Sequence, residues 1–208
     1  MSQTNIPKKS DKSADKLTKT TKKEDIEWLV ANKPKGAIVM IDEAYTHIAG
    51  APFNSDLVAS DKDVIILRTF SKIYGMAGLR AGAALARPDL QEKINGLSQT
   101  MMPITGMAAA SASLQAKYVV PERRKAIGNV REDVFGFLEK HNFTFIPSVS
   151  NCFMIDVKRP GGEIIRAMQQ EKVFIGRVWP SWPTHVRVTV GTQEEMDKFK
   201  TAFLKVMA

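Results

Sequence analysis

From Glu24 onward, short apolar runs alternate with longer segments whose apolar positions recur at helical spacing, and these two periodicities predict most of the elements. Residues 36–41 (Gly-Ala-Ile-Val-Met-Ile) form a continuous apolar run, the signature of a strand buried on both faces. Residues 64–67 and 81–86 read as further strands. A short helix is predicted ahead of the first strand, over 24–31. Another starts at Pro88, with proline at an early position and Asp89 in the first turn. The small-residue run 105–116 predicts a helix packed closely against its neighbours.

Pro121 opens a long amphipathic helix to about His141, with Ile127, Val130, Val134, Phe137 and Leu138 at helical spacing. Strands are then expected over 143–146, 153–157, 173–175 and 186–190, with a helix over 162–170. A terminal helix starts at Gln193, where Thr192 and Glu195 make a capping-box pattern. Trp179 and Trp182, set among Pro180 and Pro183, are expected to shape a loop beside Arg177. The alternation of strands and helices predicts an α/β fold. Two units are expected, over residues 25–120 and 121–208, with no internal repeat or heptad run.

Composition changes this picture only at the front. The chain has 208 residues, 44% of them hydrophobic, enough for one or two packed units. No run of eighteen apolar residues exists, so no membrane span is expected. Residues 1–24 hold seven lysines against Asp11, Asp15 and Glu24, half of the formal +8 charge. This leader is too poor in apolar residues to offset its ordering entropy and is expected to be disordered. It lacks the apolar segment of a secretory signal. No aromatic residue interleaves with its lysines, so nucleic acid is not an expected partner, although a basic tail can tether a polyanion. Cys152 is the only cysteine, which excludes an intrachain disulfide and points to a reducing, cytoplasmic setting. His47, His141 and His185 do not cluster, and no metal site is expected.

The chemistry concentrates in Thr69-Phe-Ser-Lys-Ile-Tyr-Gly-Met-Ala-Gly-Leu-Arg80. Lys72 follows an apolar strand, flanked by the hydroxyls of Thr69 and Ser71, with Arg80 eight positions on. Lysine forms Schiff bases with carbonyls, and arginine with hydroxyls makes a phosphate clamp. Together they suit a phosphorylated aldehyde, which points to pyridoxal phosphate. Asp42 ends the strand over 36–41, with Tyr45 just beyond it. Ligands of open α/β sheets bind at the carboxyl ends of strands. There Asp42 can pair with a pyridinium N–H, and Tyr45 can donate to the cofactor's phenolate oxygen. On residues alone, Asp42 could instead cap a helix, Arg80 could pair with a surface carboxylate, and Arg187 could face solvent on a half-buried strand.

Four pieces, in order, carry a family resemblance: Ile41-Asp-Glu-Ala-Tyr45, Arg68-Thr-Phe-Ser-Lys72 with Ala77-Gly-Leu-Arg-Ala-Gly82, Ser150-Asn-Cys-Phe153, and Val186-Arg-Val-Thr-Val-Gly-Thr192. Over roughly residues 25–208 the chain resembles the fold-type I, class I/II aminotransferases, and is most similar to the histidinol-phosphate aminotransferase-like branch. The resemblance implies part of the large-domain sheet of a pyridoxal-phosphate-dependent transferase, followed by a smaller C-terminal α/β domain. It implies Lys72 as the catalytic, cofactor-bonded lysine, and Asp42 and Tyr45 as ring contacts. Thr69, Ser71 and Arg80 become phosphate contacts, Arg187 and Asn151 substrate-carboxylate contacts, and Arg177 a contact to the substrate's distal end. Amino-group transfer between an amino acid or amino-phosphate and a 2-oxo acid follows, with a homodimer for the full-length form.

A complete family member carries about as much chain again before the Asp-Glu-Ala-Tyr strand, including a glycine-containing phosphate loop, a ring-stacking aromatic and an Asn-Pro segment. None of these occurs between Met1 and Glu27. The chain therefore reads as the carboxyl-terminal half of such an enzyme. The alternative expectation is a truncated, non-catalytic remnant.

Overall fold

A computed structural model describes residues 20–97 and 101–208. The expected leader lies outside the described residues up to Lys19. Two compact units emerge, one ending at Arg124 and the other running from Lys125 to Ala208.

The first unit opens with α1 (Lys23–Asn32), which leads to β1 (Val39–Asp42). Two short helices, α2 (Thr46–Ala49) and α3 (Ser55–Ala59), precede β2 (Val64–Thr69). A 3-10 turn at Ala77–Leu79 then leads to β3 (Gly82–Leu85), α4 (Pro88–Leu97) and α5 (Ile104–Gln115). The sheet order is β1-β2-β3, with β1 parallel and β3 antiparallel to β2. Alternation along the strands puts Ile41, Val64 and Ile66 on one face, where they bury against Val30 of α1 and Leu57 of α3. Burying each such side chain contributes about 1.5–3 kcal/mol.

The expectation that residues 36–41 are buried on both faces is corrected. Pairing starts only at Val39, and Met40, on the opposite face from Ile41, is 65% exposed. Periodicity could not anticipate this, because the burial of a strand's second face depends on what packs against it. The helices α2 and α3 were not anticipated either; at 4 and 5 residues they are too short to show a period.

The long helix α6 (Val119–Lys140) begins in the first unit, and its residues from Lys125 on belong to the second. There follow β4 (Thr144–Ile146), β5 (Cys152–Asp156), α7 (Gly161–Gln170), β6 (His185–Thr189) and α8 (Gln193–Met207). The second sheet is antiparallel, in the order β4-β5-β6. Its inner residues Phe153, Ile155, Val186 and Val188 pack with Val134 and Leu138 of α6, Ile164 and Met168 of α7, and Phe199 and Phe203 of α8. The capping box forms as expected: Thr192 accepts from the Glu195 amide, and Glu195 accepts from the Thr192 amide.

The strand expected over 173–175 does not form. That segment reaches β6 only at its end, where the Gly176 amide donates to the Arg187 carbonyl and the Arg187 amide donates to the Arg177 carbonyl. Its apolar residues Val173 and Ile175 still pack on the core, which is the pattern the sequence displayed. Among the described residues, no helix is long and apolar enough to cross a membrane.

Candidate active site

The parallel register of β1 and β2, from Val39 opposite Val64 to Asp42 opposite Leu67, delivers two loops to the same end of the sheet. One loop carries Asp42 and Tyr45; the other carries Thr69, Ser71 and Lys72. This is the end of an α/β sheet at which ligands bind.

Thr69 closes β2, and its Oγ1 accepts the Ser71 amide at 3.0 Å. This hydroxyl turn bends the chain out of the strand. Lys72 is exposed in the next turn, which closes through the Gly75 amide and the Lys72 carbonyl at 2.9 Å. Its Nζ stands 5.1 Å from the centre of the Tyr45 ring, within cation–π range. No carboxylate pairs with it among the described residues.

Asp42 lies on the face opposite Ile41, exposed, with Oδ1 accepting the Ala44 amide at 2.9 Å. It caps no helix, since α2 starts only at Thr46. Arg80 takes the left-handed conformation at φ 52° and bonds the Ala77 carbonyl at 2.9 Å. It forms no ion pair among the described residues, so its guanidinium keeps donors free. Gly82, paired with Thr69, is closely approached by backbone: a Cβ there would sit 3.0 Å from the Arg68 carbonyl oxygen.

Behind these loops lies a polar cluster that the sequence reading missed. Glu43 is only 2% exposed and accepts from the Asn54 amide at 2.8 Å, from Asn54 Nδ2 at 3.1 Å and from Arg68 Nε at 2.8 Å. Strand alternation could have found it. Glu43 continues the inward face of Val39 and Ile41, and Arg68 that of Val64 and Ile66. Two arginines of α6 hold the same loops: Arg124 Nε donates to the His47 carbonyl at 2.6 Å, and Arg123 Nη1 to the Ile73 carbonyl at 3.0 Å. Burial, with Arg68 and Arg124 nearby, holds the His47 imidazole below the usual histidine range.

In the second unit Arg187 sits on β6 opposite Met154, on the face away from the core. Its Nε is buried and makes no hydrogen bond among the described residues. Gly176 passes so close that a Cβ there would lie 3.1 Å from the Arg187 carbonyl oxygen and 3.5 Å from Nε. The guanidinium carbons of Arg177 and Arg187 lie 5.3 Å and 5.9 Å from the Trp179 ring centre. Trp179 and Trp182 bridge to each other, so these tryptophans do shape the loop. Asn151 is half-buried and its carbonyl accepts the Val190 amide at 2.8 Å, apart from both arginines' contacts. Cys152 is half-buried, with its Sγ 3.4 Å from the Ser150 hydroxyl.

Residues 18–203 match the model of the family described as aminotransferase class I and II. The chain is 33% identical over 192 residues to histidinol-phosphate aminotransferase 2 of Haemophilus influenzae, covering 88% of this chain and 52% of that protein. It is 33% identical over 183 residues to histidinol-phosphate aminotransferase 2 of Methylococcus capsulatus, covering 86% and 49%. Among solved structures, histidinol-phosphate aminotransferase of Sinorhizobium meliloti in complex with pyridoxal-5'-phosphate superposes with a TM-score of 0.77 at 27% identity. The match covers 88% of this chain and 52% of that one. The Clostridium acetobutylicum enzyme gives 0.79 at 21% identity, covering 89% and 59%, a likeness of fold. The chain thus spans about half the length of the curated relatives it matches.

Proposed function

Since the chain belongs to the class I and II aminotransferases, whose cofactor is pyridoxal phosphate, we propose that it contributes the lysine-bearing part of an amino-transfer site. The observation that carries this reading is Lys72, its amine free of any carboxylate among the described residues and set over the Tyr45 ring. A solvated lysine needs no such neighbours.

The donor set fits a phosphorylated pyridine aldehyde. Thr69, Ser71 and Arg80 offer two hydroxyls and a guanidinium to a phosphate dianion. Asp42 keeps one carboxylate oxygen unengaged among the described residues, suited to a protonated ring nitrogen. The bound cofactor would supply an aldehyde for covalent attachment and a ring that accepts electrons. Lys72 Nζ would be the amine that holds the cofactor's aldehyde and, when free, the base and then acid that moves the substrate's Cα proton. Asp42 would hold a protonated ring nitrogen, and Tyr45 would offer its hydroxyl as a hydrogen-bond donor to the phenolate oxygen.

In the other unit, the bidentate guanidinium of Arg187 suits a substrate carboxylate, and its buried Nε, unpartnered among the described residues, is the support for that role. Arg177, and Asn151 beside β6, are assigned to the same substrate. The substrates proposed are an amino acid or amino-phosphate donor, as in the histidinol-phosphate branch, and a 2-oxo acid acceptor. A cytoplasmic homodimer and a division of labour between residues 25–120 and 121–208 complete the reading.

Borohydride reduction of the chain with pyridoxal phosphate, followed by peptide mapping, tests the proposal. A pyridoxyl adduct on Lys72, absent in Lys72→Ala, is expected. Reduction that leaves Lys72 unmodified would instead favour a non-catalytic remnant.

A further inference from the structure

We propose that the buried Glu43–Arg68 pair is the positioning element of this site, fixing from behind the sheet where Asp42 and Tyr45 stand relative to Lys72. The proposal rests on the lysine reading above. Neither residue faces the ligand side, because both continue the inward faces of their strands.

The pair joins the two ends that carry the cofactor contacts. Glu43 is the neighbour of Asp42 and two residues from Tyr45; Arg68 is the neighbour of Thr69 and four residues from Lys72. The Glu43 amide donates to the Leu67 carbonyl at 2.9 Å, extending the β1–β2 ladder by one rung, and the side chains close the next position at 2.8 Å. Arg68 also reaches Ser55 through Nη2 at 2.9 Å and lies 4.5 Å from the centre of the Phe53 ring. Glu43 in turn accepts from the backbone amide and from Nδ2 of Asn54. One ion pair therefore ties β1, β2 and the start of α3 together.

A carboxylate this deeply buried costs several kcal/mol unless it is bonded. Its three donors satisfy it only in one register of the two strand ends. An apolar pair of the same volume would fill the space and allow neighbouring registers. The ion pair thus selects one geometry for the loops.

The full chain is examined as Glu43→Gln/Arg68→Met, in which the amide oxygen still accepts from Asn54 and no charge is left unpaired. Amide hydrogen exchange over residues 42–46 and 69–73 is measured without cofactor. Pyridoxal phosphate is then titrated in, following the Lys72-bound chromophore and the pH midpoint of its absorbance. In the double variant, both segments are expected to exchange about tenfold faster together while the thermal midpoint holds. Cofactor affinity falls about tenfold, and the chromophore's pH midpoint moves. Wild-type exchange in both segments overturns the proposal.

Failure of the wild-type chain to take up the cofactor would count against the functional reading alone, leaving the exchange measurement to decide the pair. Should the double variant not fold, Arg68→Lys replaces it; it keeps the charge but loses the planar fork to Ser55. Exchange about threefold faster in both segments is then expected, and unchanged exchange overturns the proposal.

Discussion

The ammonium nitrogen of Lys72 stands 5.1 Å from the centre of the Tyr45 ring, although 27 positions separate the two residues in the chain. The contact exists because β1 and β2 are parallel and in register, so both loops leave the sheet at one end. A cation over an aromatic face at a wet site contributes about 0.5–1 kcal/mol. Tyr45→Phe keeps the face and loses the hydroxyl, whereas Tyr45→Ala loses both. Trapping of pyridoxal phosphate on Lys72 is expected to fall modestly in the first variant and by about fivefold more in the second. Equal trapping in the two would show that the ring itself contributes nothing.

The substrate role proposed for Arg187 can be tested apart from cofactor binding. Losing a charged, bidentate partner costs about 1.5–3 kcal/mol. Arg187→Met is expected to raise KM for both the amino donor and the 2-oxo acid by about 10–100-fold, leaving cofactor trapping on Lys72 unchanged. Steady-state kinetics beside borohydride trapping checks this, and an unchanged KM would remove Arg187 from the substrate site.

His47 gives the first unit a pH dependence. Its imidazole is held below the usual histidine range, so the unfolded chain binds the proton more readily than the folded one. Stability from this residue is present above about pH 6.5 and is lost as the pH falls toward the depressed folded value. The thermal midpoint is expected to drop as the pH falls below about 6.5, and His47→Gln is expected to flatten that descent. The carboxylates of Asp63 and Asp133, lowered by Lys33 with Arg87 and by Lys200 with Gln193, respond only in the more acid window below about pH 4. The two effects can therefore be told apart.

Two helix glycines should respond in opposite directions. A Cβ on Gly106 of α5 would fall 2.5 Å from the Leu79 carbonyl oxygen, a backbone atom that cannot rotate away, whereas one on Gly128 of α6 meets nothing within 4 Å. Gly106→Ala is expected to destabilise by about 1–3 kcal/mol. Gly128→Ala is expected to stabilise by about 0.5–1 kcal/mol through helix propensity. Thermal or urea unfolding reads both, and a stable Gly106→Ala variant would mean that α5 can move off the 3-10 turn.

Period and punctuation carried the elements that are long or sharply bounded. The helix α6 kept its apolar spacing, and α8 started at the capping pair Thr192 and Glu195. The motif residues Asp42, Tyr45, Thr69, Ser71 and Lys72 could be singled out from residue type and short spacing, and the parallel register brings them to one end of the sheet. Segment 173–175 misled because Val173 and Ile175 bury like strand residues while no ladder forms along them. Burial is a property of side chains, and a strand is a property of backbone pairing.

By itself the sequence determined the family and the longer strands and helices and singled out Lys72, since these depend on local residue types. Only the tertiary structure decided which face of β1 stays open at Met40, that Arg187 buries its Nε, and that Glu43 is a buried carboxylate bonded to Arg68. Each of these depends on which distant segment arrives beside the residue, and strand register sets that, not the residue's own neighbours.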